Sequence, residues 1–355
     1  MAGVTVRAAL GALLFVTLSG PAYAASGVHG GGSTADGAAL YARYCALCHG
    51  ADREGHAADH APSLRAPELF ESASPPYLWY AVAYGRPGTP MAAYAKEQGG
   101  PLSHDDQHAL LDWLVAEAGV ARRELSDAPV RGDPRRGQQV YAQHCASCHG
   151  GTGEGVTAPA LANPVLLATA SDAFLRDTIA RGRTGTPMPG FRAVLDDADL
   201  DAVTAFLRSR AGGWAAPAPV VVDPPDPSRA VQNSSAAPAI LPLREGRFVA
   251  AADVAAALAA QRRIVLLDAR PLSDWQRSHL PGALPVPYYD GIERILPHLP
   301  DDDTPIVVYC ACPHAASGKV VDALRAAGRE QAYVLDEGSL VWAARGYPIA
   351  VGGAR

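Results

Sequence analysis

Apolar residues recur at helical spacing through the first two-thirds of the chain and in short unbroken runs through the last third. Between Asp105 and Glu117 the apolar positions are Leu110, Leu111, Trp113 and Leu114. Between Asp197 and Arg208 they are Leu200, Val203, Ala205, Phe206 and Leu207. This spacing lines one face of a helix. Ser103 and Asp196 stand just ahead of the two segments, where a side-chain oxygen can accept from the free N–H groups of a first turn. Further helices are predicted over Gly37–Tyr44, Pro76–Tyr84, Asp133–His144 and Asp172–Arg181. Beyond Leu243 the pattern changes. Ile264–Leu267, Ile306–Tyr309 and Ala332–Leu335 read as buried strands, interleaved with helical stretches at Ala251–Ala260 and Ser317–Ala327. That alternation predicts a small α/β unit with a parallel sheet.

The helical region is an internal repeat. Residues 41–50 read YARYCALCHG and residues 141–150 read YAQHCASCHG; GRPGTPM at 85–91 returns as GRTGTPM at 182–188. Residues 212–241 are rich in Pro and Ala and predict an extended linker. The 355 residues are 48% apolar and 19% charged, which excludes global disorder. A formal charge of −6 with no Lys/Arg cluster argues against a nucleic-acid partner. Residues 1–24 have the form of an export signal peptide: Arg7, an apolar run over Ala8–Leu18, and an Ala-x-Ala site at Ala22-Tyr23-Ala24. The expectation is a periplasmic or otherwise exported protein with no transmembrane span after signal cleavage.

Cys45-x-x-Cys48-His49 and Cys145-x-x-Cys148-His149 are covalent haem-attachment signatures. The two thiols bond to the porphyrin edge and the imidazole ligates iron. A dithiol pair or a zinc site are the alternatives, but structural zinc takes four protein ligands and each signature offers three. Met91 lies 42 residues after His49, and Met188 lies 39 after His149, each in a Gly-Thr-Pro-Met loop. A thioether on the second face of iron raises the haem potential relative to two nitrogen ligands. The alternatives are that both methionines are core fillers, or that His56, His60, His104 or His108 takes the axial place in the first repeat.

On these residues, 30–122 and 130–211 resemble class I cytochrome c domains. The resemblance implies two mainly α domains, two covalently attached haem c groups, and iron held by His49 with Met91 and by His149 with Met188. It also implies electron exchange with a redox protein donor or acceptor, and no substrate at iron. Residues 242–355 resemble rhodanese-like sulfurtransferases. The matching text is Leu267-Asp268-Ala269-Arg270, Trp275, His279–Ala283 and Val308-Tyr309-Cys310, then Leu335, Gly338, Trp342, Gly346 and Pro348. This second resemblance implies that Cys310 is a nucleophile that carries sulfane sulfur as a persulfide, held by loop and helix-start amides. Asp268 and Arg270 fit a structural ion pair.

The loop from Cys310 to Ser317 departs from the family pattern. It has neither glycine nor arginine, and Pro313 removes one amide. It supplies Cys312, which can resolve a persulfide by thiol–disulfide exchange, and His314, which can lower a thiol pKa or carry a proton. Cys310, Cys312 and His314 are therefore the candidate catalytic set; the same three suit a soft metal such as copper. The reading is an exported dihaem cytochrome coupled to a small sulfur compound or to thiol redox chemistry at Cys310/Cys312. The alternative is a pure electron carrier whose last unit docks a partner or binds copper.

Overall fold

The computed structural model describes residues 36–55, 60–219, 221–311 and 314–352. The signal peptide expected over 1–24, His56 and Cys312 lie outside these residues.

The first repeat runs through α1 (Gly37–Tyr44), α2 (Ala46–His49), α3 (Pro67–Ser72), α4 (Pro75–Tyr84) and α5 (His104–Ala118). The second follows the same plan with α6 (Pro134–His144), α7 (Ala146–His149), α8 (Pro164–Thr169), α9 (Asp172–Arg181) and α10 (Asp197–Ser209). Starts are set by side-chain caps. Ser103 and Asp106 form a reciprocal capping box on α5, and Asp196 accepts from Asp199 N on α10. In each repeat the first helix packs on the last. A side chain at Gly37 would meet Ala109 O at 2.4 Å, and one at Gly137 would meet Ala202 O at 2.0 Å, so this close crossing requires glycine in both copies.

The third unit is a seven-stranded sheet. Its strands are β1 (Val231–Gln232), β2 (Leu243–Arg244), β3 (Phe248–Val249), β4 (Ile264–Asp268), β5 (Leu284–Pro285), β6 (Ile306–Tyr309) and β7 (Ala332–Leu335). Their order is β1-β4-β6-β7-β3-β2, with β5 also paired to β4. The core pairings are parallel, as expected, while β1 on β4 and β2 on β3 are antiparallel edges. Alternate residues of β4 and β6 point to opposite faces, and both faces are covered. Val265, Leu267, Val308 and Cys310 meet α13 (Ala315–Ala326) on one side. Leu266, Val307 and Tyr309 meet α11 (Ala251–Ala259) and α14 (Gly338–Ala344) on the other. The short α12 (Leu272–Arg277) follows β4.

Two expectations need correction. The third unit takes in residues before 242, because Val231 and Gln232 pair with Val265 and Ile264. A buried Ala230 and a half-buried Val231 give even this Pro/Ala-rich stretch enough apolar surface to close the sheet edge. The rest of the stretch is also held: Gln98 Nε2 donates to Pro217 O, and Val222 N donates to Gln276 Oε1. Second, α13 begins at Ala315, two residues before the expected Ser317. Among the described residues no helix is long and apolar enough to cross a membrane.

Candidate functional site

Each attachment signature bends between two helices. Cys45 N donates to Tyr41 O, closing α1, and Cys45 then starts α2; Cys145 does the same between α6 and α7. Tyr41 and Tyr141 are buried and donate their hydroxyls to Gly50 O and Gly150 O at 2.7 and 2.8 Å, which pins the end of each signature. His49 Nδ1 lies 2.9 Å from Pro62 O, and His149 Nδ1 lies 2.8 Å from Pro159 O. A carbonyl can only accept, so Nδ1 carries the proton and Nε2 keeps its lone pair. Burial lowers the pKa of both imidazoles and keeps them neutral. A neutral imidazole oriented through its other nitrogen suits metal ligation. Among the described residues no group of three His, Cys, Asp or Glu side chains is arranged to hold a metal ion by itself.

The two methionine loops share one hydrogen-bond pattern. Arg86 N donates to Met91 O at 2.8 Å, and Met91 N donates to Thr89 Oγ1 at 3.2 Å. Arg183 N and Met188 N repeat these bonds with Met188 O and Thr186 Oγ1 at 3.0 and 3.1 Å. Gly85 and Gly182 open the loops with φ of +64° and +74°. Met91 is half-buried in the apolar cluster that includes Cys45 and Ala46. In the second repeat Phe191, three residues past Met188, joins the cluster of Cys145 and Ala146. His104 is exposed on the first turn of α5, with its ring 4.5 Å from that of His108.

Sequence reading missed the arginines in these loops, although both copies carry one directly after the first glycine. Arg86 lies 5.2 Å over the Tyr77 ring and Arg183 lies 5.4 Å over the Phe174 ring. Nη1 of each is buried with no hydrogen-bond partner among the described residues. Burial pulls the Arg183 guanidinium below its usual range. Paired thiols, a neutral imidazole with Nε2 available, and a buried cation short of an anion together fit a haem, whose propionates are anionic.

The two repeats meet through these same loops. Tyr77 and Phe174, equivalent in the repeat, touch with ring centroids 4.7 Å apart. Asn163 Nδ2 donates to Pro87 O of the first loop at 3.0 Å. Thr184 of the second loop, the counterpart of Pro87, donates from N and Oγ1 to the carboxylate of Glu68 at 3.0 and 2.5 Å. Burial raises the pKa of Glu68, but the Thr184 bonds and the Arg181 charge outweigh it and hold the group low. Arg181 and Arg123 flank the seam with Glu71 and Asp177.

In the third unit Cys310 directly follows β6 and is only 1% exposed. Its Sγ lies 3.4 Å from Ser317 Oγ in the first turn of α13. His314 faces a different group: Nε2 is 2.9 Å from Asp336 Oδ1, and its ring lies 4.5 Å from Phe248. Arg244 takes the other oxygen of Asp336 at 2.5 Å. Asp268 and Arg270 form the expected buried ion pair at 2.6 Å, and Arg270 also donates to Ser278 O, so the pair braces β4 against the loop after α12.

The third unit is seated on the first repeat. Tyr288 Oη is 2.9 Å from Tyr94 Oη and donates to Tyr44 O at 2.5 Å. Ser273 Oγ donates to Ala93 O at 2.6 Å, and Gln276 Nε2 donates to Gln98 O at 3.1 Å. Leu47, inside the first signature, packs into the apolar cluster that contains Cys310 and Val320.

Comparison with known proteins places these features. Residues 32–114 and 132–207 match the family model of cytochrome c oxidase, cbb3-type, subunit III, and residues 250–345 match the rhodanese-like domain. The cbb3-type cytochrome c oxidase subunit CcoP of Azospirillum sp. (strain B510) is 29% identical over 201 residues, 52% of this chain and 64% of that protein. Subunit FixP of Bradyrhizobium diazoefficiens is 27% identical over 186 residues, 50% of this chain and 61% of that protein. The dihydro-heme d1 dehydrogenase of Pseudomonas aeruginosa is 38% identical over 89 residues, 25% of this chain and 18% of that protein. The matches to the two oxidase subunits span a little under two-thirds of those proteins.

Proposed function

Because the chain joins cytochrome c domains, which bind haem c covalently, to a rhodanese-like domain, we propose that it is an exported dihaem electron carrier with a sulfur or thiol redox site in its last unit. Residues 30–122 and 130–211 each hold one haem c. Cys45, Cys48, Cys145 and Cys148 would attach the groups covalently, and His49 with Met91 and His149 with Met188 would ligate iron. The bound groups supply one-electron chemistry. The protein's part is to fix each imidazole through Nδ1, to keep water away with the buried Tyr41 and Tyr141, and to offer Arg86 and Arg183 to the propionates. The duplicated Nδ1-to-carbonyl bond carries this reading, since it leaves Nε2 as the only ligating nitrogen in both copies.

At the third unit, Cys310 Sγ attacks the sulfane sulfur of a small donor; the S–S bond of the donor breaks, its anion leaves, and Cys310 keeps the persulfide. An acceptor thiol then takes the outer sulfur and frees Cys310 as a thiolate; oxidation of the freed Cys310 and Cys312 thiols to a disulfide would release two electrons and two protons, the count that two one-electron centres could take up. Sulfide attacking that disulfide at Cys310 would form the persulfide again and release the Cys312 thiol. A redox protein then exchanges electrons with the carrier. Intact mass of the purified chain, before and after sulfide, polysulfide or thiosulfate, with visible spectra in parallel, tests both parts. Two haems and sulfur added at Cys310 are expected, and Cys310→Ala abolishes the sulfur-dependent reduction with the haem bands unchanged. Fewer than two haems ends the carrier reading. Two haems with neither sulfur addition nor reduction ends only the sulfur part. That outcome leaves the second reading, a carrier whose last unit docks a partner, which the near-complete burial of Cys310 favours, or binds copper.

A further inference from the structure

Tyr288 belongs to the third unit, yet its hydroxyl sits between two pieces of the first repeat. It donates to the carbonyl of Tyr44, the residue before Cys45, and it shares a 2.9 Å hydrogen bond with Tyr94, three residues past Met91. One hydroxyl thus ties the attachment turn to the methionine loop. The neighbouring contacts act on the same two pieces: Ser273 holds Ala93 O, and the Tyr289 ring lies edge-on to Tyr44 at 5.0 Å. The second repeat has no counterpart. His144 stands at the position of Tyr44 and Phe191 at that of Tyr94, and their rings pack against each other with centroids 6.0 Å apart. On the other side, Tyr288 shares an apolar cluster with Cys310, Ala316 and Val320, and Lys319 Nζ lies 5.6 Å over its ring.

We propose that Tyr288 is a positioning residue for the first haem, through which the rhodanese-like unit holds that haem at a potential different from the second. The inference rests on the dihaem reading above. Without the hydroxyl, Tyr44 O and Tyr94 Oη lose a buried partner, and water must enter to satisfy them. Water beside the first haem favours the more highly charged ferric form, so its potential falls. The second haem, whose repeat supplies neither of Tyr288's two hydroxyl partners, keeps its own.

The test is redox titration of full-length holoprotein whose two haems have first been verified by mass. Met91→Ala identifies the first haem as the one whose potential and methionine-to-iron absorption change. Tyr288→Phe should then lower that potential alone, by about tenfold in the redox equilibrium, or about 59 mV for one electron. Tyr94→Phe, which gives the first repeat the residue type of the second, should move the same haem in the same direction and serves if Tyr288→Phe does not fold. Unchanged potentials, or equal shifts of both haems, overturn the proposal. A wild-type mass with fewer than two haems overturns the underlying reading instead, and is seen before any potential is measured.

Discussion

The two cytochrome repeats share one internal layout and differ in what surrounds them. In both, a tyrosine pins the end of the signature, a proline carbonyl orients the histidine, and an Arg-Thr-Met loop closes on itself. Yet Leu47 of the first signature is half-buried against the third unit, while its counterpart Ser147 is exposed. Tyr44 and Tyr94 meet Tyr288, and their counterparts His144 and Phe191 meet only each other among the ring contacts of the described residues. Residues that build a cofactor site are thus kept in duplicate, and residues that choose a neighbour are not.

Exchanging Leu47 for the second repeat's residue is the sharpest way to break this asymmetry. Leu47→Ser removes most of one apolar side chain from the interface and should weaken seating of the third unit by about 1–3 kcal/mol. Hydrogen exchange at residues 315–326 should rise; the reverse change, Ser147→Leu, should stay within about 0.5 kcal/mol in denaturant unfolding, as exposed substitutions do. A smaller effect is expected at the seam between the repeats. Glu68→Gln keeps an acceptor for Thr184 but loses the charge, at a cost of about 1 kcal/mol. Because the folded Glu68 has a lowered pKa, its contribution is present above the ordinary carboxylate pKa and is lost as pH falls through the folded value. Wild-type protein should therefore show acid-dependent loosening of 66–72 and 171–187 by hydrogen exchange, and Glu68→Gln should flatten that dependence. The smallest effect belongs to Arg43, whose pair with Asp290 is 3.6 Å long and half-exposed on both sides. Arg43→Ala should change thermal stability by less than about 1 kcal/mol, and high salt should erase the difference.

Much of this was legible in the sequence, because short-range rules govern it. The Gly37–Tyr44 and Asp172–Arg181 helices have the bounds their apolar spacing and breakers predict, and Ser103 and Asp196 cap as their positions suggest. The parallel strands lie where the apolar runs lie. What could not be read depends on contacts between distant segments. Tyr288 and Tyr44 are 244 positions apart, and no local pattern marks either as a partner. The strand at Val231 hides in Pro/Ala-rich text because an edge needs only one or two paired residues. The buried arginines do carry a local signal, since Gly-Arg stands at the head of both loops, but their burial depends on Tyr77 and Phe174 beneath them. At the third unit, the strand leading into Cys310 was legible, whereas the pairing of His314 with Asp336 on the far side of β7 was not.

The reciprocal grip at the repeat seam bears on how the molecule can be divided. Pro87 is held by Asn163, and Thr184 is held by Glu68, so each methionine loop is finished by its sibling. A fragment carrying one repeat would begin life with an unfinished loop and a bare aromatic face at Tyr77 or Phe174. Anyone cutting the chain down to a single repeat would have to graft a substitute for the missing half onto that edge.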